Sequence, residues 1–263
     1  MIARYLKLYL HFVRFSLGKT FSFRVNFWFR ILMDVIYAAI LIFFYEIIYA
    51  KVGSLTGWTR SQALVFVGAC LVLDSIQMTF FSDNLNSFSE KVRQGDLDYY
   101  LVRPISPLFM MTLREVSINS ALNLLIACSI LGVYLSGVWS DVSFSRLALF
   151  FALLLNGAYL YYLTRLLFVL PVFWLGSIRG LDTLFYNLYY CVDRPDAIFR
   201  GPIRTILTTF VPFCLMASFP ARALFHGDII SIVLHMWAVS LSLSLFVLFV
   251  WRRGLRSYSS ASS

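Results

Sequence analysis

The chain lacks the motifs around which most soluble enzymes are built. It has no GxxxxGK[ST] run, and so no phosphate loop of the usual kind to cradle and hydrolyse a nucleotide. HExxH and GxSxG are missing too, and the three histidines, His11, His226 and His235, fall in separate regions. The four cysteines form no CxxC pair; Cys70, Cys128 and Cys214 lie in apolar runs and Cys191 in a polar interval. They read as small hydrophobes rather than as a disulfide or metal framework. Charge is scarce as well, at 13% of 263 residues. A site assembled in space survives these absences, but catalysis becomes the weaker reading.

What the chain has in excess is apolar surface. Hydrophobic residues make up 60% and aromatics 18%, well above the roughly 45–50% apolar content of soluble domains. Several runs approach the ~20 residues that cross a bilayer. The class is therefore an all-α, polytopic membrane protein with one membrane domain over 1–263. There is no length left for a second soluble domain of about 100 residues. The net charge of +9 does not point to nucleic acid, because no basic, aromatic-interleaved soluble domain is present. Basic residues collect in cytoplasmic loops of membrane proteins instead.

Residues 1–20 carry Arg4, Lys7, His11 and Arg14 at spacings of three and four, with apolar residues between them. This predicts a helix lying in the membrane interface, basic stripe toward anionic headgroups, and ending near Gly18. Six membrane segments follow, at 26–49, 62–81, 108–135, 146–170, 203–219 and 229–251. Arg30 and Asp34 sit four apart in the first and can neutralise each other. Gly53, Gly57 and Trp58 suit a turn with an interfacial anchor. Asp74, deep in the second segment, costs ~2.5–3.5 kcal/mol to insert and needs a partner or water. It either lines a pathway or pairs with Arg30 or Arg165. Asn119 and Asn123 can hydrogen-bond to a neighbouring helix, and Arg165 can snorkel to the headgroups. Pro212 argues against a straight fifth span.

Residues 82–107 form the longest polar interval. Leu85, Phe88 and Val92 recur at i, i+3 and i+7, which predicts one apolar face of a short helix. Ser82 or Asp83 can cap its start, and Gly95 suits its left-handed end. Asp83, Asn86, Glu90, Lys91 and Arg93 take the other face. A second interval, 176–204, reads as an amphipathic helix along the membrane surface. Lysine and arginine number five up to Arg24, then three, four and three in the two intervals and the tail, against Lys51, Arg60, Arg146 and Arg222 in the alternate loops. That places both termini and both intervals on the cytoplasmic side.

The run from Glu90 through Gly95, Leu97, Asp98 and Leu101 to Pro104 resembles the E-x-G-x-L-[DE]-x-L-L-x-x-P pattern of ABC-2 type permeases, though the spacing from Glu90 to Gly95 departs from it. Gly57-Trp58, the FPARAL run at Phe219–Leu224 and the basic tail from Gly254 look like its branch of about 260 residues. The resemblance implies six transmembrane helices and an N-terminal interfacial helix. It also implies a coupling helix between spans two and three and a re-entrant element after span five. It further implies a bacterial inner-membrane exporter subunit that binds no cofactor itself. ATP and magnesium would belong to a separate dimer of ABC ATPase subunits, and a second permease chain, identical or different, would complete the pathway. Leu85, Phe88 and Val92 would then fill a groove on the ATPase, with Glu90, Lys91 and Arg93 setting register at its rim and Gly95 and Leu97 completing the docking region. Such a subunit would export a hydrophobic or amphipathic compound, with Asp74 the first candidate contact if the cargo is cationic. Two alternatives stand beside this: a membrane enzyme acting on a lipid or isoprenoid-linked substrate through Asp193, Asp196 and Arg200, and a passive pore or scaffold.

Overall fold

The computed structural model describes residues 2–20, 24–54, 57–226 and 228–258, with all their side chains except those of 2–3, 17–20, 24–27 and 30. The Arg30 side chain, Gly227 and the last five residues thus lie outside the described set. Every regular element among the described residues is helical. Helix α1 spans Ile2–Thr20 and runs through Gly18 rather than stopping there. Tyr5 meets Phe109 edge-on at 5.0 Å and accepts the Ser106 N–H at 3.1 Å, which ties α1 to the chain after the central interval.

Helices α2 (Arg24–Lys51) and α3 (Arg60–Phe80) form a tight hairpin. Arg60 grips Glu46 with two hydrogen bonds of 2.8 Å. Thr59 and Gln62 form a reciprocal capping box at the start of α3, which satisfies two orphan helix-end N–H groups. Trp58 is buried rather than interfacial, edge-on to Phe66 at 5.7 Å. Then come α4 (Ser82–Arg93), α5 (Leu97–Leu101), α6 (Pro107–Leu113), α7 (Ile118–Ser136) and α8 (Phe144–Val169). The expected segment 108–135 is thus two helices, separated at Arg114–Ser117. After α9 (Val172–Leu175) and α10 (Arg179–Tyr189) the chain unwinds, then forms α11 (Gly201–Thr205), a π turn at Ile206–Phe210, α12 (Phe213–Phe225) and α13 (Ile229–Ser257).

Five stretches are long and apolar enough to cross a membrane: Ile31–Lys51, Arg60–Phe80, Ile118–Ser136, Phe144–Leu175 and Ile229–Ser257. A sixth is reached if Gly201–Phe210 and Phe213–Phe225 count as one span, but they meet at 90°. The expected fifth span at 203–219 is therefore bent, with Pro212 at the corner. Pro220 sits inside α12. Having no N–H, it leaves the Met216 carbonyl without its usual intrahelical partner. Gly157 of α8 lies against that carbonyl so closely that a Cβ there would come within 2.2 Å of the oxygen.

Helix α3 is the centre of the bundle. Of its apolar window 78% lies inside the molecule, against 11% for α2. Helices α7, α8 and α12 surround it, and Gly68 lets Leu131 of α7 approach its backbone. Burying this much apolar side-chain surface against protein relies on close packing more than on the hydrophobic effect, since lipid is itself apolar.

Candidate functional site

Helix α4 leaves α3 after one residue, Phe81, and the amphipathic pattern forms as the spacing predicts. Its start has no side-chain cap, because the N-cap residue is Phe81, while Ser82 gives its hydroxyl to Gln77 at 2.7 Å. Gly95 takes φ +83° and ends the helix in the left-handed region, where a side chain would be strained. The direction of the apolar face differs from expectation. Leu85, Phe88 and Val92 are buried within the chain, as is Leu97 of α5. Phe88 stands edge-on to Phe173 at 6.4 Å and to Trp251 of α13 at 6.3 Å. Leu85, Phe88, Val92 and Leu97 are thus already packed inside this protein and cannot also fill a partner's groove. Glu90 and Arg93 pair with each other at 3.2 Å on the surface, while Lys91 turns to Glu115 at 3.4 Å. The exposed apolar group lies further on, at Tyr99, Leu101 and Val102, the last 82% exposed. Arg103 caps the Tyr99 ring at 3.9 Å. At the end of α13, burial and then the Asp98 and Asp96 carboxylates push the Tyr258 phenol above its ordinary value, which places that end beside α5.

Two residues join α4 to the bundle, and neither role follows from periodicity. Asn84, fully buried, donates to the Glu115 carbonyl at 2.7 Å and accepts the Glu115 N–H at 2.9 Å. It thus pairs with both backbone groups of Glu115, in the break between α6 and α7. The Ser117 N–H, in the same break, donates to the Thr79 carbonyl of α3 at 2.8 Å. Arg165 of α8 does not snorkel. It is 1% exposed, pairs with Asp182 of α10 at 2.8 Å and donates to Asn86 of α4 at 3.1 Å. Its guanidinium lies over the Phe185 and Tyr186 rings, and Tyr186 donates to the same Asn86 oxygen at 2.8 Å. One buried cation therefore links α8, α10 and α4.

The interval 176–204 forms the expected amphipathic helix as α10, with only Phe185 buried, and then a segment that packs into the bundle. The Tyr37 hydroxyl donates to the Asp193 carboxylate and the Tyr45 hydroxyl to the Asp193 carbonyl, both at 2.7 Å. These tyrosines flank Leu41, halfway along Ile31–Lys51. The Cys70 thiol, halfway along Arg60–Phe80, faces the Val192 carbonyl at 3.6 Å. The unwound segment therefore sits at the mid-depth of two apolar helices. Helix α10 leads into it and α12 leaves at the same level, with Phe213 edge-on to Phe185 at 5.5 Å. Two helices, α10 and α12, are thus joined by a charged loop that lies against the middle of α2 and α3. In that loop Arg194 is exposed. Asp196 is fully buried and accepts from Ser218 at 2.6 Å, Arg204 at 2.6 Å and Arg222 at 3.1 Å. Asp193, Asp196 and Arg200 therefore do not converge as an acid–base group would.

Asp74 stands at the same depth, partly buried. Its carboxylate accepts from Gln77 at 2.9 Å, with Tyr189 alongside. Among the described residues its ion pairs include neither Arg165 nor any other cation. Asn123 reaches α2 and donates to Asp34. His235 meets the Thr208 carbonyl at 2.9 Å and stacks on Phe219, a packing role.

Residues 35–262 match the family model described as ABC-2 family transporter protein. No curated protein and no solved structure matches the chain.

Proposed function

The chain belongs to the ABC-2 family of transporter proteins, and on that premise we propose that it is the permease subunit of an ATP-driven exporter of a hydrophobic or amphipathic compound. It forms half of the translocation pathway, and a second permease chain forms the other half. The observation that carries this reading is the unwound segment around Asp193 and Arg194. Non-helical backbone with an exposed arginine, at the mid-depth of apolar helices, requires either protein or water over it. A pathway shared between two permease chains supplies both. Discontinuous helices meeting at mid-depth are also the usual setting of a transport site.

ATP and magnesium belong to a separate pair of ATPase subunits beneath α4 and α5. Their dock is the exposed side of that region, where Tyr99, Leu101 and Val102 form an apolar knob ringed by Glu90, Arg93, Asp96 and Arg103. This replaces the buried Leu85, Phe88 and Val92 face. The end of the bundle that carries α4 and α5 is cytoplasmic, with both termini, in the inner membrane of a bacterium. Setting aside Arg194, Arg200 and Arg204, which lie in or beyond the mid-depth loop, leaves the lysine and arginine bias intact.

Purification from the native host in mild detergent tests the reading. A soluble ATPase with a phosphate loop should accompany the chain, and Val102→Glu should remove it without altering the chain's own elution. A chain that emerges alone under several detergents, in wild-type form, would overturn the proposal.

Asn84 supplies a second test. Asn84→Ala removes the buried contact between α4 and the break between α6 and α7, leaving the Lys91–Glu115 pair as the remaining polar link, and so weakens the route by which a push on α4 reaches α7. Export should fall about tenfold, within the usual range of coupling free energies, while the ATPase keeps turning over. A parallel loss of both activities, with a lower melting temperature, would make Asn84 structural only.

A further inference from the structure

A cavity of about 210 Å³ opens between α2, α3 and α7. Most of its wall is hydrocarbon, including Ala38, Ile42, Ile126 and Ile130. At one end stand Asp34, Asp74, Tyr37 and Asn123. Carboxylates alone do not make a ligand site, but Asn123 adds an independent sign. It is 7% exposed, and its amide nitrogen donates to Asp34. That contact fixes the orientation of the amide. Its carbonyl oxygen is then buried without a hydrogen-bond partner, and an orphan acceptor of this kind costs about 1–3 kcal/mol. Behind the cavity stands a further carboxylate, Asp193, with Arg194 near it. Tyr37 hands its proton donor to Asp193, and the carbonyl end of α10 terminates at Tyr189, next to Asp74. That end of the cavity therefore presents the Asp74 carboxylate, which pairs with no cation among the described residues, and the open Asn123 oxygen. A metal ion suits it poorly. Among the described residues no three His, Cys, Asp or Glu side chains gather as ligands, and the remaining wall offers carbon.

Resting on the permease reading, we infer that this cavity binds a protonated amine carried on an apolar body. The ammonium donates to the Asp74 carboxylate and to the free Asn123 oxygen, and the apolar body lies along α2 and α7. A compound that is both apolar and cationic reaches such a cavity from the lipid side, between helices, without first crossing water.

The test measures binding to the purified full-length chain in nanodiscs, with no ATPase or nucleotide present. The probes are 4-phenylbutylamine, cationic at neutral pH, and 4-phenylbutanol, of similar size but uncharged. Equilibrium dialysis should show saturable binding of the amine and only unsaturable lipid partitioning of the alcohol. Asp74→Asn keeps the side-chain volume and should weaken the amine by about tenfold or more, the scale of one charge-assisted hydrogen bond. Ala39→Leu, which fills the cavity without touching charge, should also abolish saturable binding. Equal saturable binding of amine and alcohol, or unchanged amine binding in both variants, would overturn the inference. Because no ATPase takes part, failure here leaves the permease reading standing, and that reading fails separately in the co-purification.

Discussion

Asp196→Ala is expected to destabilise the purified chain by about 3 kcal/mol, the low end for breaking a buried ion pair by removing one partner. The low end applies because Arg204 and Arg222 both reach the surface, with 44% and 25% of their side chains exposed, so water takes up part of what they lose. Asp196 itself is wholly enclosed and its carboxylate accepts from four donor atoms: two nitrogens of Arg204, one of Arg222 and the Ser218 hydroxyl. Without it the mid-depth loop loses its charged tie to Ser218 and Arg222 of α12, keeping the backbone N–H at position 196 and the Cys191 carbonyl as polar links, and two guanidiniums are left without their shared carboxylate. Arg222→Met should cost less, since Arg204 remains. Thermal unfolding can be read by a thiol-reactive dye, since Cys70 and Cys214 are buried until the chain unfolds, while the exposed Cys128 and half-buried Cys191 set the folded-state baseline. A drop of roughly 6–12 °C is expected for the alanine variant. A drop no larger than that of Arg222→Met would show that the carboxylate is not the keystone of the loop.

Gly157→Ala should be nearly as damaging for a different reason. The new methyl carbon would lie 2.2 Å from the Met216 carbonyl oxygen, and the next obstacles are also backbone. Neither α8 nor α12 can move a flexible side chain aside to make room, so the helices must separate. Overpacking of this kind costs about 1–3 kcal/mol, and more where backbone must shift. Gly132→Ala is the control. Nothing lies within 4 Å of a Cβ at that position on α7, and alanine is the better helix former by about 0.5–1 kcal/mol. The dye assay should therefore show a lower melting temperature for the first variant and an unchanged or higher one for the second. Equal behaviour of the two would mean that α8 and α12 are not in backbone contact.

The all-helical membrane class and the family resemblance were legible because both are written locally, in composition and in short spacings. The amphipathic period of α4 was equally local, and Leu85, Phe88 and Val92 do share a face. Periodicity identifies a face but not what covers it, and here Phe173 and Trp251, many residues away, take the place given to a partner. Arg165 shows the same limit. Its position near a helix end fits snorkelling until Asp182 and Asn86 fold over it. The mid-depth loop was hidden most deeply. Its arginines and turn residues read as surface, because counting charge assumes that loops lie outside the membrane. Only the wall made by α2 and α3, with Tyr37, Tyr45 and Cys70 aimed at Val192 and Asp193, makes its burial possible.

The hairpin of α2 and α3 bears on how the protein is made. Helix α3 holds Asp74 and Gln77 and ends up walled in by α7, α8 and α12, all of which are synthesised after it. During translation it must enter the bilayer before those neighbours exist, with only α2 for company. The two-point Glu46–Arg60 grip and the Thr59–Gln62 capping box close the turn between them locally, so the pair can leave the insertion machinery as one unit. Helix α2, which stays largely uncovered in the finished fold, thus serves first as the nascent chain's shield for its most polar membrane helix.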